Sequence, residues 1–333
     1  MGKDKFYIYH QSFLNPLQTE VERMGYSVEQ LVYNTYLKHF DIKNPDAYIP
    51  LKAVYEFLGL VERELSINNL VEAFYTNFEF KNLGSYGSMI VGCPDILSAI
   101  NSGIKYQHSF QTNIEMQFDV QGPYARFSHA QLDSISSDRQ RAHKIAFAIV
   151  IRAFKTLLGE DWKPDIIQVP GRETEWLEEL MDDGSDDKIV WQTHCPSFAL
   201  LLKTDSLPTI NVAAHGHAFE NDASESSFAH RMRGLLKGYR HGIIPALADF
   251  ADYFNVSERT IIRALKSEGY SFTKIMEEFL FGRSIELMRN ETLSVNEISQ
   301  ILGYANPPNF LRAFKKWTNM TPHTYRERSI KIQ

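Results

Sequence analysis

The chain has 333 residues, 44% of them hydrophobic and 23% charged, with a formal net charge of −6. That composition is ordinary for a globular protein and excludes a collagen-like or wholly disordered chain, while the length favours two cores over one. The net charge conceals a division. Phe228 to Gln333 carries 16 Lys+Arg against 10 Asp+Glu, which leaves 19 against 31 in the preceding residues, so the C-terminal third is the part suited to a polyanion.

From the N-terminus, "MGKDKFYIYH" has no apolar core behind its lysines, and the most apolar run, "IAFAIVIRAF", is too short for a bilayer and contains Arg152. A cytoplasmic protein with no membrane partner is expected. Cys93 and Cys195 lie far apart without a C-x-x-C partner, which predicts two reduced thiols and neither a disulfide framework nor a structural zinc site. Aromatic residues are plentiful in the first 130 positions, and core packing explains them as well as a small-molecule pocket does. Tyr86, Tyr106, Arg126 and His129 are the candidates for a ligand site. Arg126 and His129 fall just past a hairpin turn at Gln121-Gly-Pro, flanked by alternating Glu115 to Asp119 and Tyr124 to Phe127; they suit an anionic ligand, but an exposed strand end accounts for them more readily.

Arg139 to Gly159 reads as one largely buried helix carrying Ile145, Ala148, Ile149, Arg152 and Phe154. Strands and helices together predict a mixed α+β domain over residues 1–212. "ETEWLEELMDDGSDD" lacks the spaced oxygen ligands and Gly of a calcium loop and reads as a solvated helix end. "HGHAFENDASESS" is small and polar, which places an interdomain linker at 213–227; His215 and His217 have no further ligands beside them to complete a metal site.

Residues 228–333 change character. A first amphipathic helix, with Phe228, Met232, Leu235, Leu236 and Tyr239 on one face and Arg231, Arg233, Lys237 and Arg240 on the other, is expected to end near Gly242. A short helix, a tight turn at Phe254 to Val256 and a second helix capped by Ser257 then form a helix-turn-helix over about 244–268. Ile261, Ala264 and Leu265 face inward, and Arg259, Ile262, Arg263 and Lys266 face outward. A second copy follows at about 294–317: Ser294 to Glu297 form a capping box, and "Arg312-Ala313-Phe314" answers "Arg263-Ala264-Leu265".

In the second copy Pro307 and Pro308 mark a helix start, because the first donors of a helix have no intrahelical partner. Pro307 is expected at the cap and Pro308 as the first helical residue, since the residue before a proline is pushed out of the α region. Asn309, Arg312 and Lys316 lie outward with Leu311 on the flank, and the scarcity of polar groups at the tip predicts reading of DNA partly by apolar contact and shape. Between the copies, a single helix with Phe272, Ile275, Met276, Phe279 and Leu287 in one stripe would set the two second helices about 34 Å apart, one turn of DNA.

"NVSERTIIRALKSEGYSF", "VNEISQILGYANPPNFLRAFKKWTNMTPHTYR" and the Thr321-Pro322 to Tyr325-Arg326 ending resemble the DNA-binding domain of the AraC/XylS transcriptional regulators. The resemblance implies an all-α domain of seven helices with two helix-turn-helix units joined by a linker helix. It places base-reading residues at Arg259, Ile262 and Arg263, and at Pro307, Pro308, Leu311 and Arg312. Leu280 stands where that family commonly has Arg, and Asn319 where it commonly has Gly. The preceding part, through "LGSYGSMIVGCPDILSAINSGIKY", "IEMQFDVQGPYARFSH" and "LLGEDWKPDIIQVP", is similar to the effector domain of the branch with ornithine- and quorum-linked regulators. That likeness implies a small-molecule effector, with a homodimer and RNA polymerase as further partners to promoter DNA. The residues themselves leave open a regulator, an enzyme fused to a DNA-binding module, and a ligand-free architectural binder. No dinucleotide, Walker, H-E-x-x-H or G-x-S-x-G motif is present, so neither a catalytic residue nor a cofactor is assigned.

Overall fold

In a computed structural model the protein is described over residues 6–44, 47–65, 67–133, 136–170, 176–177, 180, 188–192, 197–204, 227–290 and 292–330. The acidic stretch (in large part), Cys195, His215, His217 and the expected linker up to residue 226 lie outside them. The chain divides into two compact units, Met1–Lys38 with Ile49–Glu225, and His39–Tyr48 with Ser226–Gln333. The expected boundary placed residues 39–48 with the N-terminal domain; the structure groups them with the C-terminal one.

The N-terminal unit is mixed α+β. Helices α1 (Leu14–Arg23), α2 (Val28–Tyr33), α3 (Leu51–Leu65), α4 (Ile67–Asn77), α5 (Gly84–Val91) and α6 (Ile96–Phe110) precede a hairpin of β1 (Ile114–Gln121) and β2 (Tyr124–Gln131). The long helix α7 (Ser136–Leu158) follows, then β3 (Ile166–Pro170), β4 (Lys188–Gln192) and β5 (Ser197–Lys203). The sheet runs β1-β2-β5-β3-β4, with β3 and β4 parallel and the other neighbours antiparallel. Gln121 pairs with Tyr124, and Gly122 takes φ +63 in the two-residue loop, where a side chain would be strained. The hairpin is longer than the alternation suggested.

Strand periodicity then decides what faces inward. Ala125, Phe127 and His129 of β2 lie opposite Leu202, Leu200 and Phe198 of β5, and all six are buried. Phe147, Ile151 and Phe154 of α7 close the core from one side. Arg152 is not part of that buried face as expected; it pairs with Glu160, whose carboxyl is held below its ordinary range first by the hydrogen bond from Arg152.

The C-terminal unit is helical: α8 (Phe228–Gly238), α9 (Leu247–Tyr253), α10 (Glu258–Ser267), α11 (Phe272–Met288), α12 (Val295–Ile301), α13 (Pro307–Thr318) and α14 (Pro322–Ile330). Helix α8 stops before the expected Gly242, because Tyr239 turns extended and bridges to Phe40. Its ring packs on Phe40 at 4.6 Å, and Phe40 is fully buried. Two glycines admit this segment: a Cβ on Gly234 would lie 2.6 Å from the Tyr48 ring, and one on Gly238 would lie 2.9 Å from the Tyr48 carbonyl oxygen. Arg231 is 6% exposed, although the helical period put it outside. It sits one turn from both Phe228 and Leu235, on a helix buried around more of its circumference than expected.

Helix α11 corrects a second expectation. Its buried residues are Ile275, Ser284 and Met288, while Phe272, Met276, Phe279 and Leu287 are only half-buried. A single expected stripe fails because the helix serves two cores at different angles: Ile275 is buried toward its first half, and Met288 joins Ile298, Leu302, Phe310 and Phe314 with Leu280 packed alongside. Leu280 thus has an apolar role where the resembled family has a cation.

Candidate nucleic-acid interface

The local chemistry of the first unit sets the position of its second helix. Asn255 takes φ 50 in the turn, a conformation Asn tolerates, and Ser257 then caps α10 by accepting from the Thr260 amide at 3.2 Å. Ile261 and Leu265 are fully buried and anchor the helix. The opposite face carries Arg259, Arg263 and Lys266, all exposed, with Ile262 50% exposed between them. None of the three cations forms an ion pair with another described residue. Glu268, at the end of α10, turns back and accepts from the Phe228 and Ala229 amides at 2.8 and 2.9 Å. A carboxylate on the first donors of α8 ties the two helices together.

The second unit is built by the same rules with different side chains. Ser294 accepts from the Glu297 amide at 3.2 Å and Glu297 accepts from the Ser294 amide at 2.8 Å, which completes the capping box and lowers the Glu297 carboxyl from its ordinary range, first through that backbone hydrogen bond. Helix α13 starts one residue earlier than expected. Asn306 is the cap, extended at φ −156, ψ 151, and its side chain accepts from the Asn309 amide at 3.1 Å. Pro307 and Pro308 both lie inside the first turn. The rule for a residue before proline acts on Asn306, and neither proline is missed as a donor at a position where no acceptor exists. Phe310 and Phe314 are fully buried, and Asn319 ends the helix in the left-handed region at φ 57.

The outer face of α13 differs from that of α10. Leu311 is 40% exposed, beside Pro307 and Pro308 at the tip. Arg312 donates to the Asn309 side-chain oxygen at 2.6 Å, and Lys316 pairs with Glu277 of α11 at 2.9 Å. The first tether joins residues one helical turn apart and follows from the period; the second does not. Spacing identifies which face Lys316 occupies, but Glu277 lies 39 residues away in the chain.

The four ligand candidates separate. Tyr86 and His129 line one cavity of ≈ 120 Å³ inside the N-terminal unit. Tyr106 is 39% exposed, and Arg126, half-buried, lies across from Asp119 and Leu201; neither lines it. His129 is no exposed strand end: it is 3% exposed, because its alternation with Phe127 turns it toward the core. Burial pushes its imidazole down to about 4, so the ring is neutral at physiological pH. The other lining groups, such as Phe80, Phe110 and Ile100, come from helices whose meeting point no single-segment pattern reveals.

Two family models match the chain: a helix-turn-helix domain over residues 250–328 and the arabinose-binding domain of AraC transcription regulator, N-terminal, over residues 25–181. The HTH-type transcriptional regulator VqsM of Pseudomonas aeruginosa is 35% identical over 82 residues, 25% of this chain and 25% of that protein. The ornithine utilization regulator of the same organism is 33% identical over 97 residues, 29% of this chain and 28% of that protein. The matched stretch therefore spans about a quarter of these relatives' length. Among solved structures, the transcriptional regulator CdpR from Pseudomonas aeruginosa aligns over 98% of this chain and 99% of that one, at 16% identity and a TM-score of 0.42.

Proposed function

From a chain that joins an AraC-type helix-turn-helix domain to an N-terminal domain of the arabinose-binding type, we infer a sequence-specific DNA-binding transcription regulator whose N-terminal unit senses a small molecule. The observation that carries this reading is the repeated construction of the C-terminal unit. Two side-chain-capped second helices, α10 and α13, each bury one apolar face and leave Arg263 and Arg312 on an exposed one. Arginine suits both phosphates and guanine edges, and the N-terminal part of a second helix is what enters a major groove. In this reading Arg259, Ile262, Arg263 and Lys266 meet one groove, and Pro307, Pro308, Asn309, Leu311, Arg312 and Lys316 the next. Helix α11 holds them about one DNA turn apart.

The N-terminal reading is supported by the cavity beside His129 and by the domain type matched over residues 25–181. Homodimerisation and contact with RNA polymerase belong to the same proposal, as the routes by which a bound regulator changes transcription. The relatives are named as transcriptional regulators, which favours this class over an enzyme fused to a DNA-binding module.

Selection of the full-length protein on a random duplex library tests the reading. Enrichment of a site with two conserved blocks about 10 base pairs apart is expected. Recovery of a single block, or of none above competitor DNA, contradicts it.

A further inference from the structure

Aligned on their caps, Ser257 and Asn306, helices α10 and α13 keep one register. The fourth and eighth residues after each cap are fully buried, Ile261 and Leu265 in the first helix, Phe310 and Phe314 in the second. The sixth is Arg263 in one and Arg312 in the other, both exposed. Between the fourth and the sixth stands an aliphatic side chain turned outward: Ile262, 50% exposed, and Leu311, 40% exposed. A single exposed aliphatic residue is ordinary, but its return at the same step of both helices is not. Among the described residues the C-terminal unit exposes one other large hydrophobic side chain to this degree, Tyr270, and the Arg233 guanidinium lies 4.7 Å from the centre of that ring. Ile262 and Leu311 instead stand directly before the two arginines.

We propose that Ile262 and Leu311 are specificity-determining residues, each selecting a thymine by packing on its C5-methyl group, so that both blocks of the operator contain a methyl-dependent thymine. The proposal rests on the reading of α10 and α13 as the helices that enter the major groove, and it gives each of them a base.

The chemistry of the groove restricts what such a side chain can meet. Guanine, adenine, cytosine and the O4 atom of thymine present hydrogen-bond donors and acceptors there, which an aliphatic group would strip of water without pairing. The thymine C5-methyl is the apolar group on that edge. Position agrees with chemistry. The fifth residue after a cap lies about one turn into the helix, in the N-terminal part that meets the bases. Consecutive Cα atoms are about 3.8 Å apart, close to the rise of about 3.4 Å between base pairs, so an aliphatic residue and the arginine after it address neighbouring bases. Ile262 is suited to the task because a β-branched side chain in a helix holds one χ1 rotamer and loses little freedom on contact. On α13 the exposed Pro308 stands three residues before Leu311 and shares its face, which widens the apolar surface offered to a methyl group.

The full-length protein and the duplex it selects supply the test. Each thymine of the selected site is replaced in turn by deoxyuridine, which lacks only the C5-methyl, and the affinities are compared. One replacement in each block is expected to weaken binding by about fourfold, the value of one buried methyl-sized group. Ile262→Ala should lose the same factor on the unmodified duplex and become indifferent to deoxyuridine in one block while staying sensitive in the other; Leu311→Ala should do the converse. A site with no deoxyuridine-sensitive thymine overturns the proposal and spares the reading of the protein as a DNA-binding regulator. A penalty that survives in both variants belongs to the shape of the duplex and overturns it too, and sensitivity in one block alone overturns it for the other helix. Failure to select any duplex sinks both the proposal and the regulator. The deoxyuridine scan of the unaltered protein stands as a test even where a variant fails to fold.

Discussion

The two helix-turn-helix units repeat one another in sequence and differ in how they are held. Among the described residues, helix α10 presents Arg259, Arg263 and Lys266 without ion pairs, whereas on α13 Arg312 is tied to Asn309 and Lys316 to Glu277. Their cores differ as well. The second unit closes its own core with Met288, Ile298, Leu302, Phe310 and Phe314; the first rests against α8, whose Tyr239 is covered by Phe40 from a distant part of the chain. One unit therefore has free charge on a borrowed foundation, and the other has a self-sufficient foundation under restrained charge. Free cations displace counterions and supply sequence-independent affinity; a restrained, apolar tip supplies shape.

The largest expected effect tests the foundation. Phe40→Ala should destabilise the first unit by about 3–5 kcal/mol, the usual cost of emptying a buried phenylalanine site. Hydrogen exchange should show lost protection in α8 to α10 with α12 and α13 spared, and uniform loss across all of them would erase the contrast. Next comes charge. Arg263→Ala should weaken specific duplex binding by about 1–3 kcal/mol, with Arg312→Ala at the lower end because that guanidinium is already engaged; the reverse ranking in a titration would reverse the assignment of roles.

Smaller effects sharpen the same contrast. Gly282 sits in the middle of α11, and a Cβ there would meet nothing within 4 Å. Gly282→Ala should raise stability by up to about 1 kcal/mol and stiffen the connection between the two units; a fall in melting temperature would show that this position needs glycine. Last, Glu277→Gln releases Lys316 from an exposed pair that contributes little to stability, about 0–1 kcal/mol. It should steepen the salt dependence of duplex binding by about 0.9 in log–log slope, and an unaltered slope would mean Lys316 reaches no phosphate.

Much of the C-terminal unit was legible because its rules are local. Ser257, Ser294, Asn319 and the paired prolines each act within four residues of where they stand, and helical period alone sorts Ile261 and Leu265 from Arg259 and Arg263. Apart from the cap of α13, which falls one residue earlier, the departures arise where a distant segment intervenes. Arg231 and the early end of α8 follow from packing that the helix's own sequence does not show, and Gly234 and Gly238 make sense only beside Tyr48. The split stripe of α11 has the same cause, two cores meeting one helix at different angles.

In the N-terminal unit the hairpin and α7 were readable from alternation and apolar content. The cavity was not, because its walls come from three helices, two strands and the turns holding Phe13 and Phe80, and only Tyr86 and His129 of the four expected residues reach it. Alternation from Phe127 already turned His129 inward, and that signal outweighs its nearness to a turn.

The central claim is that α10 supplies most of the counterion-releasing contacts to DNA. Measuring the log–log salt slope of duplex binding for the unaltered protein, for the Arg259/Arg263/Lys266 triple alanine variant and for the Arg312/Lys316 double alanine variant addresses it directly. The account predicts a slope shallower by nearly three units in the first variant, at about 0.9 per lost contact, and by about one in the second. A triple variant whose slope matches that of the unaltered protein would contradict it.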